Sequence, residues 1–419
     1  MDSLTIGCIT DVIYEDNAAS LKKHIKENHI DLIVFPEMHD STMDLGLDDL
    51  IDAETEIIAR EMKWAKKIDC AMIMGMNDSS GTIFNVFVNP IATVKETKSH
   101  VYIKHTHPKK YHSPFERDDY KQLCETMFQP ILFKGWRIGM TICYDSTFPI
   151  FSRMYGKQGI DMLVNNTGYN AKKSKWFKYH KVRSIENKCN SIVTMFFDEN
   201  SDKCNPPTYC FNRQGGVVHE NNIINDYLHI YKVEYDEGVP EKDEYWNDRK
   251  GTINNTIDLK IPVSNIEKLI AKAKPVAKNL LCLHHKNRNV IFCIVKGNEI
   301  LKPEKVLQLL YNKKLNNIDN KSFVILNQHK HISEDYFQTQ LDTILRVRAV
   351  ENYCAVILES DNIKKCYQST FCKDSQIIKP EKGYFGIDLS RTNGPRHTGL
   401  HQSKQWNQNI EFLVDNLLK

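Results

Sequence analysis

Short apolar runs alternate with amphipathic segments through the first 235 residues. Continuous apolar runs with the length of a buried strand occupy residues 4–9, 31–35, 71–76, 136–143, 161–165 and 191–197. Apolar side chains three or four positions apart, which indicate helices, occupy residues 19–28, 54–68, 148–157 and 174–187. Strands that alternate with helices are typical of a layered α/β domain. We therefore predict such a domain for residues 1–235.

The pattern changes after residue 235. Residues 236–278 begin with an acidic stretch that contains glycine and proline, and one short helix is predicted at Ile266–Ala273. We interpret this segment as a linker or a long surface excursion. A second α/β pattern begins at residue 279, so we predict a further domain over residues 279–419.

One segment of the first domain recurs in the second. Val182–Cys189 and Val347–Cys354 are identical at five of eight positions, and an apolar strand follows each copy. The upstream strands also correspond, which predicts a duplicated half-domain. In this correspondence Val295 takes the place of Cys143.

Composition excludes several classes of protein. The 419 residues carry 56 basic and 53 acidic side chains, so a net charge of +3 argues against a nucleic-acid binder. No apolar run approaches the roughly 20 residues of a membrane span. The twelve cysteines include no CxxC pair, which argues against a zinc ribbon or a disulfide scaffold. Without a recognisable signal peptide, we expect a reduced, cytoplasmic chain with no membrane partner.

Three chemically reactive side chains stand at the ends of apolar runs. Glu37 follows residues 32–36, Lys104 follows residues 101–103, and Cys143 follows residues 138–142. Strand ends of an α/β domain deliver side chains into one crevice. A thiolate can act as nucleophile beside a cation that lowers its pKa, a carboxylate can move the proton, and an ammonium group can stabilise an oxyanion. The set therefore suits acyl transfer.

The order and spacing of these segments resemble the nitrilase superfamily of carbon–nitrogen hydrolases. The resemblance rests on the segments Phe35-Pro36-Glu37-Met38, Tyr102-Ile103-Lys104 and Gly139-Met140-Thr141-Ile142-Cys143-Tyr144-Asp145, the last followed by Phe148-Pro149. Trp176 and the helix that ends in Arg183-Ser184-Ile185-Glu186-Asn187 agree with it, as does the strand–glycine–strand segment at Tyr209–His219. The resemblance covers residues 1–235.

The resemblance implies a four-layer αββα sandwich and a Glu–Lys–Cys triad. Glu37 would be the general acid and base, Cys143 the nucleophile, and Lys104 with the backbone N–H of Tyr144 the oxyanion site. Glu116 matches a second glutamate of the family that orients the lysine and the substrate. The implied reaction is cleavage of a small-molecule amide or carbamoyl bond through a thioester, with no metal and no organic cofactor. Tyr144 favours the amidase or carbamoylase branches.

Two departures keep other functions open. Thr147 and Ile150 stand where many relatives have arginine and glutamate, which argues against small ω-amidic acids as substrates. An acyltransferase or a nitrile hydrolase could use the same triad, and a catalytically inactive binding or regulatory module is the alternative from another class.

The second domain is predicted to be a truncated, degenerate half-copy without catalytic residues. Domains of the family commonly dimerise through the helices next to the nucleophile strand, and the half-copy retains the counterparts of those helices. We therefore expect a homo-oligomer, or a second domain that acts as an intramolecular partner.

Overall fold

The computed structural model describes residues 3–11, 13, 17–37, 40–41, 50–77, 83–92, 101–105, 124, 127–168, 173–197, 207–235, 259–369, 375–394 and 404–418. The chain divides into two compact units, Met1–Glu241 and Lys242–Lys419. Within the described residues, no helix combines the length and the apolar character that crossing a membrane requires.

The first unit alternates strands and helices. Its elements are β1 (Ser3–Ile9), α1 (Ala18–Glu27), β2 (Leu32–Val34), β3 (Asp40–Ser41), α2 (Leu50–Ile68), β4 (Ala71–Asn77), β5 (Ile83–Val88), β6 (Val101–Ile103), β7 (Ile131–Phe133), β8 (Trp136–Ile142), a 3-10 turn (Cys143–Thr147), α3 (Pro149–Gly156), β9 (Met162–Thr167), α4 (Lys173–Asn187), β10 (Asn190–Met195), β11 (Thr208–Phe211), β12 (Val217–Val218), β13 (Asn222–Ile224) and β14 (Leu228–Glu234).

These strands form two sheets that face each other. The first sheet has the order β13-β14-β1-β2-β4-β5-β6, with β3 beside β4, and the second has the order β12-β11-β10-β9-β8-β7. Hydrogen bonds join the sheets, because Thr194 Oγ1 donates to the carbonyl of Ile9 at 2.6 Å and Asn85 Nδ2 donates to Asn166 Oδ1 at 2.8 Å. The central strands β1-β2-β4 and β8-β9-β10 are parallel.

Helices cover the outer faces of both sheets. Helix α1 buries Ala18, Leu21 and Ile25 in a core shared with α2 and the first sheet. Trp176 and Phe177 of α4 pack on the side chains of β10 and β11. Layers in the order helix, sheet, sheet, helix confirm the predicted α/β sandwich over the first unit, and they place the ends of β2, β6 and β8 where one crevice can form.

The second unit has its own sheets and core. Its elements are β15 (Leu259–Pro262), α5 (Ile266–Ile270), β16 (Lys274–Ala277), β17 (Leu280–His285), β18 (Arg288–Lys296), a 3-10 turn (Gly297–Leu301), α6 (Pro303–Leu310), a 3-10 turn (Lys313–Leu315), β19 (Lys321–Gln328), α7 (Glu334–Tyr336), a π-helical turn (Phe337–Leu341), α8 (Asp342–Glu351), β20 (Ala355–Glu359), β21 (Lys364–Ser369), β22 (Ser375–Ile377), β23 (Tyr384–Ile387), a 3-10 turn (Leu389–Arg391) and α9 (Lys404–Leu418).

The main sheet of the second unit has the order β16-β17-β18-β19-β20-β21-β22, and β15 pairs with β23. Residues 259–277, inside the predicted linker, therefore contribute strands to this unit. Elements β18 to β22 follow one another as β8 to β12 do: three parallel strands, then two antiparallel ones.

The residue that corresponds to the nucleophile position is Gly297, and the expectation that it is Val295 is wrong. Cys143 and Gly297 each begin a 3-10 turn that leads to a proline at the start of a helix, and their φ angles are +43° and +51°. Val295 lies two residues earlier, inside β18. A glycine adopts this left-handed conformation at no steric cost.

Candidate active site

The three predicted strand-end residues come together in the first unit. Glu37 lies just beyond β2 and Lys104 directly follows β6, and both are buried. Cys143 directly follows β8 and opens the 3-10 turn. Strands β2 and β8 belong to different sheets, and each runs parallel to a neighbour in its own sheet. The crevice therefore forms where the carboxyl ends of the two sheets meet.

Lys104 and Glu37 form a buried ion pair. Lys104 Nζ lies 2.5 Å from Glu37 Oε1, and each side chain is 5% exposed. Burial alone lowers the pKa of an ammonium group, but the adjacent Glu37 carboxylate and the Cys143 thiol outweigh that effect. The pKa of Lys104 is therefore raised, and the lysine remains a cation at neutral pH.

The Glu37 carboxylate lies close enough to the Cys143 thiol to affect its pKa. Burial, followed by the negative charge of Glu37, raises the pKa of the thiol, and the opposing effect of Lys104 does not compensate. Lys104 does lower this pKa, as expected, but its effect is smaller than the combined effects of burial and Glu37. The thiol is protonated at neutral pH and already has a proton acceptor beside it.

The backbone at Cys143 is held in an unusual conformation. Its φ of +43° lies in the left-handed region, which is unfavourable for a residue with a Cβ atom. Such a conformation persists when neighbouring contacts impose it, and it is typical of functional sites. Here Ser146 Oγ donates to the Cys143 carbonyl at 2.8 Å.

Gly168 holds the other oxygen of Glu37. The residue follows β9, and its N–H donates to Glu37 Oε2 at 3.0 Å. A Cβ atom at this position would lie 3.2 Å from that same oxygen. The absence of a side chain therefore lets the backbone approach the carboxylate, and sequence reasoning did not identify this residue.

Asp145 is a second residue that sequence reasoning missed. It is fully buried, and its Oδ2 accepts hydrogen bonds at 2.9 Å from the hydroxyl of Tyr102 and from the N–H of His105. These two residues flank Lys104, whose pKa the charge of Asp145 also raises. Asp145 therefore ties the end of β6 to the turn that carries Cys143. The side chain lies in the Cys-Tyr-Asp segment, which was the available signal.

His105 is buried in an aromatic cluster. Its ring stacks on Phe151 and Phe128, with centroid distances of 4.3 and 5.8 Å. Burial lowers its pKa to about 3, so the imidazole is neutral. Within the part of the chain that the structure describes, no group of three or more His, Cys, Asp or Glu side chains is arranged to hold a metal ion.

Aromatic side chains adjoin the 3-10 turn that begins at Cys143. Cys143 and Tyr144 pack against a buried cluster, whose members are Trp176, Phe177, Val193, Met195, Tyr209 and Phe211. Thr147 is buried, and its hydroxyl donates to the carbonyl of Tyr144 at 2.8 Å. Ile150 is buried on α3. Both departures from the family pattern are therefore accommodated within the turn and the helix that follows it.

Glu116, the remaining predicted site residue, lies outside the described residues. The arrangement that is described contains a thiol, a carboxylate that acts on its pKa, and a cation paired with that carboxylate. These are the groups that nucleophilic catalysis at a carbonyl needs.

Comparisons with known proteins find similarity to a family model, a curated protein and solved structures. Residues 14–201 match the family model described as carbon–nitrogen hydrolase. The omega-amidase YafV of Yersinia enterocolitica is 27% identical over 173 residues, which cover 39% of this chain and 62% of that protein. The chain thus spans less than two thirds of the length of this curated relative.

Solved structures with similarity include a carbon–nitrogen hydrolase from Helicobacter pylori G27, with 14% identity, a TM-score of 0.41, and coverage of 56% of this chain and 89% of that one. Nit3 of Saccharomyces cerevisiae, a member of branch 10 of the nitrilase superfamily, is 13% identical with a TM-score of 0.40. The match covers 56% of this chain and 90% of Nit3. A third structure is a mutant amidase from Nesterenkonia sp. AN1, with the acetamide moiety of fluoroacetamide added covalently at its active-site cysteine. It is 12% identical with a TM-score of 0.41, and the match covers 56% of this chain and 92% of the amidase.

Proposed function

We propose that the first unit is a carbon–nitrogen hydrolase of the nitrilase superfamily, as the match of residues 14–201 supports, and that the protein cleaves a non-peptide amide or carbamoyl bond through a thioester on Cys143. The observation that carries the proposal is the buried ion pair of Lys104 and Glu37, 2.5 Å apart, at the strand ends where Cys143 opens its turn. A surface carboxylate or a packing cysteine would not require this buried arrangement.

The first half-reaction begins with the proton of the thiol. Glu37 accepts that proton as Cys143 Sγ attacks the carbonyl carbon, and a C–S bond forms. The negative charge that develops on the carbonyl oxygen is stabilised by Lys104 Nζ and by the N–H of Tyr144, the second residue of the 3-10 turn. Glu37 then returns the proton to the nitrogen, the C–N bond breaks, and ammonia or an amine leaves.

The second half-reaction uses the same groups. Glu37 removes a proton from water, the resulting oxygen attacks the thioester, and Lys104 again stabilises the oxyanion. The C–S bond breaks, the thiolate recovers its proton, and the acid is released. A thiol that is protonated at rest fits this scheme because it needs a general base in contact with it.

Two assignments rest on the family pattern alone. Glu116 is proposed to orient Lys104 and the substrate. Tyr144 and Thr147 favour an amide or carbamoyl substrate without a distal carboxylate, because the hydroxyl of Thr147 bonds to the turn itself.

Turnover of an amide panel tests the proposal. Neutral amides, carbamoyl compounds, ω-amidic acids and nitriles are incubated with the full chain, and ammonia and acid release are measured. We expect neutral amides or carbamoyl compounds to be hydrolysed, with the activity lost in Cys143→Ala. Cys282, a partly exposed cysteine of the second unit, gives the matched control Cys282→Ala, which should retain activity. Activity that survives Cys143→Ala would overturn the proposal.

We also propose that the second unit is a degenerate, non-catalytic half-copy that serves as an intramolecular partner. Two features support this: β18 to β22 repeat the order of β8 to β12, and Gly297 replaces the nucleophile at the start of the equivalent turn. Light scattering on the full chain tests the partner role, and we expect a monomer near 48.7 kDa. A stable dimer would contradict it.

A further inference from the structure

A buried arginine holds the turn that carries the proposed nucleophile. Arg183 on α4 is fully buried, and its Nη1 lies 2.5 Å from Glu186 Oε1. Its Nε donates to the carbonyl of Ser146 at 2.8 Å. Ser146 is three residues beyond Cys143 and donates its own hydroxyl to the Cys143 carbonyl. The guanidinium group is therefore linked to the backbone of the nucleophile through one intervening residue.

The second unit contains the same arrangement around a turn without a nucleophile. Arg348 Nε donates to the carbonyl of Ile300 at 3.0 Å, and its Nη1 pairs with Glu351. Ile300 is three residues beyond Gly297, as Ser146 is beyond Cys143. Both arginines are fully buried, but Ile300 has no hydroxyl to match that of Ser146, and the residue that begins the turn differs.

That difference changes what the clamp must do. Cys143 has a φ of +43°, which a residue with a Cβ atom adopts only when its surroundings impose it. Gly297 has a φ of +51°, which a glycine adopts without such a constraint because it has no Cβ atom. The space around it is also open, since a Cβ atom there would meet nothing within 4 Å. The clamp in the first unit thus maintains a conformation that the turn would otherwise leave.

We propose that Arg183 is a positioning residue for Cys143: it fixes the 3-10 turn so that Cys143 keeps its place beside the Lys104–Glu37 pair. The proposal rests on the proposed thioester function, and it goes beyond the family's triad because it assigns a role to Arg183 that acts through the carbonyl of Ser146. The planar fork of a guanidinium group binds the carbonyl and the carboxylate at once. A lysine carries the same charge but lacks the fork.

The test compares Arg183→Lys with the matched variant Arg348→Lys in the full chain. We expect Arg183→Lys to lower kcat by roughly 100-fold with little change in KM, because small misplacements of reacting groups have effects of that size. Arg348→Lys should keep kcat within about twofold of the wild type. Thermal unfolding of both variants shows whether each has lost a similar amount of stability.

A second readout needs no substrate. Iodoacetamide modification of Cys143, followed by peptide mapping over a range of pH, reports how the thiol is held. We expect Arg183→Lys to change the rate and the pH midpoint at Cys143, and Arg348→Lys to change neither. If Arg183→Lys does not fold, Glu186→Gln against Glu351→Gln makes the same comparison.

Equal losses of kcat in both variants, in proportion to their stability, would overturn the inference, as would a change confined to KM. Wild-type protein that hydrolyses no amide would instead overturn the proposed function. In that case the alkylation comparison still decides whether Arg183 positions Cys143.

Discussion

Replacing Glu37 by glutamine should change hydrolysis and thiol reactivity in opposite directions. Glutamine keeps the shape of the side chain and removes both its charge and its ability to accept a proton. Glu37 raises the pKa of the Cys143 thiol and lies 2.5 Å from Lys104 Nζ. Lys104 would then be left as a buried cation beside the thiol.

The loss of the general base sets the size of the catalytic effect. A positioned acid or base contributes about 10²–10⁴-fold to a rate, which corresponds to about 2.7–5.4 kcal/mol at 1.36 kcal/mol per tenfold change. The Glu37→Gln variant should therefore retain about 1% or less of the wild-type kcat. Removing one partner of a buried ion pair also costs about 3–5 kcal/mol of stability, so activity is compared below the unfolding temperature of the variant.

The thiol should respond in the opposite sense. The charge of Glu37 raises the pKa of Cys143, whereas Lys104 lowers it. Without the carboxylate, burial still raises the pKa of the thiol, but the contribution of Glu37 is lost, so the pKa falls and more thiolate is present at a given pH. Alkylation of Cys143 by iodoacetamide, followed across a pH series by peptide mapping, should shift to lower pH.

Glu220→Gln is the control, because the described hydrogen bonds of Glu220 go to Thr208, His229 and Tyr231 and not to a triad residue. It should leave the alkylation profile of Cys143 unchanged. An alkylation midpoint that stays in place or rises in Glu37→Gln would refute the electrostatic account of the site, even if hydrolysis is lost.

Three further changes have defined outcomes. Gly168→Ala should lower kcat roughly tenfold or more, because the new Cβ atom lies 3.2 Å from Glu37 Oε2 and must displace that oxygen. Thermal stability should stay nearly unchanged, and an unchanged kcat would contradict the prediction. Asp145→Asn weakens two hydrogen bonds to a buried carboxylate, so the free energy of unfolding in urea should fall by about 1.5–3 kcal/mol. The kcat should also fall, because the link between the turn and the Lys104 segment is weakened. Burial alone would raise the pKa of Glu220, but hydrogen bonds from three side chains lower it to about 2 from 4.5. A depressed pKa stabilises the fold above about pH 4.5 and loses that effect as pH falls towards 2, so the unfolding temperatures of wild type and Glu220→Gln should differ at pH 7 and converge in acid.

The parts of the site that were predicted from the sequence are local. Glu37, Lys104 and Cys143 each follow an apolar run, and a strand end identifies a position without any knowledge of distant contacts. The contacts that hold these residues are long-range. Asp145 reaches His105 across 40 positions and Arg183 reaches Ser146 across 37, and no periodicity in the sequence encodes such a pair.

The misplacement of Val295 has a physical cause as well. A continuous apolar strand provides no marker of register, so a shift of two residues keeps every side chain on the same face. The structure fixes the register through the turn, because Pro149 and Pro303 both begin the helix that follows it. The proline, rather than the apolar run, was the informative residue. Glu116 lies outside the described residues, so its role stays a prediction.

The most direct test of the account is detection of the acyl-enzyme. The full chain is mixed with an amide that the turnover panel identifies, quenched in acid within the first turnovers, and mapped by peptide mass spectrometry. We predict an adduct with the mass of the acyl group on Cys143 alone, absent in Cys143→Ala, with ammonia released in the same first turnover. Hydrolysis that proceeds without any adduct on Cys143, or with the acyl group on another cysteine, would contradict the account.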